Sequence, residues 1–249
     1  RAPGLDGPRK DLGLNRVELA ERGPVTYVNI EGIKHDALLS DTFAEHCDAG
    51  RFQSFGLVRK KSYEVSGNWK LVIENFLDFL HVPAIHPELA PSSKLDDHED
   101  CDGGYNHIFF KTDPLGVSTS NPLGSLPPVS SQLPCHVLYF HVLYPSCFVF
   151  THASHVFLVF IRPVSPGQSI EDAFLLLHPE AEACMSRSDI DSLFRFYDLT
   201  NLQDIAIIER CQRGLETTSL TGPRFLDPWD RYIKQFQNMY IGNMSGWDD

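Results

Sequence analysis

Asn68-Trp69-Lys70-Leu71-Val72-Ile73-Glu74-Asn75-Phe76-Leu77-Asp78-Phe79-Leu80-His81-Val82-Pro83-Ala84-Ile85-His86-Pro87 is the stretch on which the reading of the chain turns. It opens as an apolar helical pattern and closes on two histidines with an acid upstream. Asp78 precedes His81 by one helical turn, so a helix through this segment puts both on one side. Pro83 then halts regular helix and lets His86 swing back toward His81. Two imidazoles converging in this way suit iron, zinc or copper. Taken alone, the pair does not choose among these metals, or between a metal and none.

Outward from this segment, strand and helix signals follow one another. Residues 1–24 are rich in Gly, Pro and charge and read as an extended lead-in. Residues 25–30 read as a strand, 41–50 as a short helix and 52–66 as a strand of alternating polarity. After His86 the sequence turns acidic through residues 96–100 and passes a short strand at 105–111. It then enters a loop dense in Pro, Gly and Ser over residues 113–134, long enough to be a substrate gate or a plain linker. Three apolar runs read as antiparallel strands: residues 135–144, residues 147–163 with a bend near 152–154, and residues 170–177. Residues 190–199 and 201–215 read as two successive helices, the second capped by Asn201, and a last helix follows Pro228.

The bulk composition narrows the class. A chain of 249 residues and 28.1 kDa, 42% hydrophobic and 22% charged, is an ordinary globular composition and large enough for one core. A formal net charge of −12 argues against a nucleic-acid partner, which needs a concentrated basic footprint. No apolar run approaches the roughly 20 residues that span a bilayer, so no membrane association is expected. The six cysteines are scattered without metal-site spacing and read as reduced thiols of a cytoplasmic protein.

The opening stretch resembles the catalytic domain of the Rieske non-haem iron oxygenase alpha subunits, whose wording N-W-K-x-x-x-E-N-x-x-[DE]-x-x-H-x-x-x-x-H it follows from Asn68 to His86. A second resemblance lies at residues 201–215 and offers Asp204. The resemblance implies a facial triad of His81, His86 and Asp204 on a mononuclear Fe(II), with O2 as co-substrate. It implies an α+β fold in which a curved antiparallel sheet is covered by helices, the helix-grip architecture. It assigns residues 25–249 to the mononuclear iron domain and residues 1–24 to a lead-in from a preceding Rieske domain. The C-x-H and C-x-x-H pairs that would hold a [2Fe-2S] cluster do not occur, and the chain opens at Arg1 without an initiator Met, so the catalytic half alone is expected.

The resemblance also assigns roles. Asp78 bridges the iron site to the cluster of an adjacent subunit, which makes a homotrimer and an external NAD(P)H-dependent reductase, acting directly or through a ferredoxin, the expected partners. Asn75 lines the iron pocket or satisfies backbone. Phe140, Tyr144, Phe148, Phe150 and His152 are expected to shape a cavity for a small organic substrate, aromatic by preference, with a quaternary-ammonium or N-methyl compound as the alternative. Asp204, Ile208, Cys211 and Leu215 share one helix face, and a lone acid there needs a partner, because burying an unpaired carboxylate costs several kcal/mol. Asp198 and Glu209 are its neighbouring rivals. Leu80 and Gln203 depart from the family wording, which has Tyr and an acid there. A metal-free ligand-binding module and a zinc hydrolase are the readings from other classes; the second lacks H-E-x-x-H.

Overall fold

The computed structural model describes residues 17–29, 41–87, 89, 98–101, 103, 106–112, 123, 126–217 and 224–245. Its centre is a seven-stranded, wholly antiparallel sheet in the order β3-β9-β8-β7-β6-β5-β4. The strands are β3 (Gly56–Val65), β4 (His98–Cys101), β5 (His107–Thr112), β6 (Leu138–Leu143), β7 (Cys147–Thr151), β8 (His155–Ser165) and β9 (Gln168–Leu177). A separate hairpin pairs β1 (Glu18–Arg22) with β2 (Val25–Asn29), so part of the expected lead-in is strand. The helices are α1 (Asp41–Gly50), α2 (Trp69–Leu77), α3 (Val82–Ile85), α4 (Pro179–Cys184), α5 (Arg187–Thr217) and α6 (Arg231–Ser245).

Alternation along β9 shows how the sheet makes its core. Ser169, Glu171, Ala173, Leu175 and Leu177 are buried, while the residues between them are half-buried. The same side of β8 carries Phe157, Val159 and Ile161, paired with Leu175, Ala173 and Glu171. Together with Val72, Ile73 and Leu77 of α2 and Leu193, Ile205 and Ile208 of α5, these residues form the main hydrophobic cluster. The opposite side of the sheet packs Val149, Val156 and Leu158 against Phe43 and Cys47 of α1. Helices therefore cover both sides of the sheet, and the site lies on the α2–α5 side.

Two expectations are corrected. Residues 147–163 do not form one bent strand. They form a β7–β8 hairpin in which His152 N–H donates to His155 C=O at 2.9 Å, so the polar bend closes a turn. The two helices expected on either side of Thr200 are one helix of 31 residues, because Asn201 does not cap. Its amide instead donates 2.6 Å to Glu171 on β9, and the Thr200 hydroxyl satisfies carbonyls one turn back, so nothing interrupts the helix. That helix is about 46 Å long at 1.5 Å per residue, which outruns the sheet and leaves Cys211 and Leu215 exposed despite sharing a face with Ile208. Most of the loop expected at 113–134 lies outside the described residues.

Gly67 sets the spacing between the two helices that build the site. A Cβ at this position would lie 2.6 Å from Ile208 Cγ2, a buried side chain one turn beyond Asp204. Gly67→Ala is expected to destabilise the fold by about 1–3 kcal/mol through overpacking, read as a lower midpoint in urea denaturation with an unchanged slope.

Candidate metal centre

The local chain path differs from a single helix stopped by Pro83. Asn68 caps α2, accepting from the Lys70 N–H at 3.0 Å, and the helix ends at Leu77. Asp78 leaves it in extended conformation (φ −86°, ψ 121°), and its Oδ1 accepts from the Leu80 N–H at 2.8 Å, folding the chain into a tight corner. His81 opens α3 and His86 closes it. Pro83 sits in the first turn of α3, where a missing N–H leaves no bond unmade. The corner brings both imidazoles to one place although the segment is not continuous helix.

The long helix supplies the third group. Asp204 Oδ1 lies 2.9 Å from His86 Nε2 and 3.2 Å from His81 Nε2, and the two Nε2 atoms are 3.3 Å apart. Among the described residues this trio is the one cluster of three His, Cys, Asp or Glu donors able to hold a metal ion. The rival acids are engaged elsewhere: Asp198 accepts from Tyr63 and Lys61, and Glu209 from the Ser66 N–H at 3.1 Å.

Each ligand-type side chain has its own holder. His86 Nδ1 donates to Gln203 Oε1 at 2.7 Å, and His81 Nδ1 faces Asp78 Oδ2 at 3.3 Å. Protons kept on both Nδ1 atoms leave the Nε2 lone pairs for a cation. Asn75 hydrogen-bonds the Asp204 carboxylate from α2. Burial pushes the His81 ring toward the neutral form, but hydrogen bonds and charge from Asp204 and Asp78 outweigh it and raise its pKa to about 9. His86 is raised by the same balance of burial against Asp204 and Gln203. Burial pushes Asp204 upward, yet the two histidines and Asn75 hold it below the usual carboxylate range.

The trio opens onto a cavity of about 150 Å³, a volume known to admit a benzene-sized molecule. Phe140, Phe148 and Phe150 line it, as do Asp78 and Asn75. Tyr144 and His152 do not. Tyr144 lies beyond the end of β6, its ring turned to Phe236 of α6 at 6.2 Å, and His152 is tied into the β7–β8 turn by Ser154 and the Cys135 carbonyl, each at 2.8 Å. Trp69 packs between Phe236 and Tyr240 of α6, and Glu74 bonds Gln237, so both join α2 to α6. The sequence reading missed Glu171 and Asn201, a buried pair on the cavity wall, and gave Gln203 no partner. The signal for Glu171 was an acid standing at a core-facing position between Ser169 and Ala173.

Two imidazoles and one carboxylate meeting on one side of an apolar cavity form the two-histidine, one-carboxylate donor set of non-haem iron oxygenases. The comparisons agree: the family model described as ring hydroxylating alpha subunit (catalytic domain) matches residues 52–246, and the chain belongs to that family. Choline monooxygenase, chloroplastic, from Spinacia oleracea is 23% identical over 236 residues, covering 91% of this chain and 51% of the relative. Its counterpart from Amaranthus tricolor is 22% identical, covering 91% and 50%. The chain thus spans about half the length of these curated relatives. Among solved structures, a quaternary ammonium Rieske monooxygenase superposes with a TM-score of 0.74 at 16% identity, covering 96% of this chain and 64% of that one. Naphthalene 1,2-dioxygenase from Rhodococcus sp. superposes with a TM-score of 0.64 at 14% identity, covering 90% and 65%. These likenesses establish a shared fold.

The donors fit a metal. Bonds of about 2.0–2.2 Å place neighbouring donors roughly 2.8–3.6 Å apart between right-angled and tetrahedral coordination, and the observed edges of 2.9, 3.2 and 3.3 Å fall in that range. Gln203→Leu, which leaves His86 Nδ1 without its acceptor, is expected to weaken metal binding about 10–100-fold, measured by competitive chelator titration. The metal-free chain should show a pH signature. His81 is raised from 6.5 to about 9, so its stabilising contribution is complete below pH 6.5 and lost as pH climbs through about 9. Thermal melts across that window should fall for the metal-free protein, while saturating metal, which needs the neutral rings, should bind more tightly toward the alkaline end.

Proposed function

We propose that this chain is the mononuclear-iron catalytic part of a Rieske-type oxygenase, which uses Fe(II) and O2 to hydroxylate, dihydroxylate or oxidatively demethylate a small organic substrate. The observation that carries the reading is the convergence of His81, His86 and Asp204 on the lining of an aromatic-walled cavity. It weighs against a metal-free binding module, and a zinc hydrolase would require a general-base acid beside the histidines that H-E-x-x-H supplies and this chain lacks. The long α5 laid over the antiparallel sheet is in keeping with a helix-grip domain.

Fe(II) held by His81, His86 and Asp204 would supply oxygen activation. The remaining work falls to the chain. Gln203 and Asp78 hold the Nδ1 protons, fixing both rings in the orientation a metal needs. Asn75 holds the carboxylate. Phe76, Phe140, Phe148 and Phe150 exclude water and take up the substrate.

Asp78 is 30% exposed, and each of its oxygens already accepts one hydrogen bond, from Leu80 and from His81. It retains lone pairs for an incoming imidazole, which supports its role as the bridge to a [2Fe-2S] cluster of a neighbouring subunit in a trimer fed by an NAD(P)H-dependent reductase. The curated relatives are choline monooxygenases, which favours a quaternary-ammonium or N-methyl substrate as a second reading beside an aromatic one. No helix among the described residues is long and apolar enough to cross a membrane. All six cysteines are free thiols, in keeping with a reducing compartment; the cytoplasm is the simplest such setting, although the names of those relatives specify the chloroplast.

Protein loaded anaerobically with iron is expected to bind one Fe(II), with X-ray absorption placing N and O donors about 2.0–2.3 Å from it. Asp204→Ala is expected to abolish that occupancy. A zinc-filled or metal-free site after iron loading contradicts the reading.

A further inference from the structure

Among the described residues the inner side of the sheet presents one acid to the cavity, Glu171 of β9. It is 1% exposed. One carboxylate oxygen accepts from Asn201 Nδ2 at 2.6 Å. In the strand register its neighbours are Tyr63 on β3 and Ile161 on β8, neither of them a cation. No Lys or Arg lines the cavity among the described residues. The basic side chains of β3 and β8 that form ion pairs are committed elsewhere: Arg59 to Asp191, Lys61 to Asp198 and Arg162 to Asp172. The charged group that acts on Glu171 is Asp204, which has the same sign.

A buried carboxylate without a counter-cation costs several kcal/mol, and nothing in the fold requires the charge. A glutamine would accept from Asn201 equally well and tie β9 to α5 in the same way. What the acid adds is a group that, once ionised, puts an unmatched negative charge on the wall of a small cavity.

Much of the rest of that wall is aromatic. Phe76 stacks on Phe148 with ring centroids 4.3 Å apart, and Phe150 stands edge-on to Phe76 at 5.1 Å. Phe157 stacks on Tyr197 at 4.3 Å, and all five rings line the cavity. Aromatic faces are negative and attract an ammonium group without requiring a hydrogen-bond donor from it. A neutral aromatic ring would fill the same space but leave Glu171 uncompensated.

We propose that Glu171, steadied by Asn201, selects a small organic cation bearing N-methyl groups as the occupant of the cavity. The rings receive the methyl groups and Glu171 balances the charge. This assignment rests on the reading of the cavity as the substrate site of the iron oxygenase proposed above.

The test is calorimetric titration of the chain with choline, with the uncharged isostere in which a tert-butyl group replaces trimethylammonium, and with toluene. Wild type is expected to bind choline about tenfold or more tightly than either neutral probe. Glu171→Gln, which keeps the acceptor for Asn201, is expected to erase that preference while binding the isostere as wild type does and melting at a similar temperature. Equal affinity of wild type for choline and the isostere overturns the proposal, as does failure to bind choline at millimolar concentration. A preference that survives in Glu171→Gln overturns it too. Iron binding measured on the same samples keeps the two readings apart. Iron bound without cation preference refutes only the role of Glu171; cation preference without iron refutes the oxygenase and leaves the cation site standing.

Discussion

Asp204 Oδ1 lies 2.9 Å from His86 Nε2 and 3.2 Å from His81 Nε2, a closeness that fixes how α5 must lie over the corner between α2 and α3. A helix of this length can slide or rotate on a smooth apolar surface. One turn of slippage moves a side chain about 5.4 Å along the axis, more than the whole donor triangle spans. Polar ties between α5 and the rest of the domain prevent that. Gln203 holds His86, Asn201 holds Glu171, Gln212 accepts from the Asn68 N–H at 2.9 Å, and Glu209 accepts from Ser66. Ile208, fitted against Gly67, sets the depth. The register of one helix is therefore held by pairs spaced along roughly three turns.

Much of this was legible in the sequence, for a physical reason. His81 and His86 lie five residues apart, so local chain geometry alone brings them together. Apolar runs located β6, β9 and the span of the β7–β8 hairpin within a few residues. What was not legible depends on pairings between distant segments. Asn201 resembles a helix cap until its partner on β9 is known, and Gln203 looks like a loss of charge until His86 Nδ1 is found against it. Tyr144 and His152 were misplaced because periodicity tells which side of a strand a residue takes but not where the strand ends. Asp78 and His81 meet as expected, but through a capped corner instead of a helical turn.

The cavity also separates two kinds of burial. The histidine chain behind the sheet, His107 to His141 at 3.0 Å and His141 to Thr151 at 3.3 Å, is fully buried, and burial pushes both rings well toward the neutral form. His46 completes it through Thr151 at 2.7 Å. Each member has a partner and no charge is required, so this network stiffens the packing of α1 on the sheet. At the metal centre the balance is reversed: burial is outweighed by the neighbouring carboxylates, and the rings are raised.

The cavity lining as a whole is short of fixed positive charge. Among the described residues three carboxylates line the cavity, from Asp78, Asp204 and Glu171, and the lining includes no Lys or Arg. In the metal-free chain Asp204 adds to the burial that pushes Glu171 up to about 7. A divalent ion on the triad would offset two of the three negative charges, Asp204 first, and relieve the repulsion that keeps Glu171 partly protonated. One negative charge would then remain on the cavity lining. A monovalent organic cation brings the lining to neutrality, whereas a neutral ring leaves the residual charge buried. The electrostatics that prepare the triad for a metal thus also leave the cavity suited to a cation.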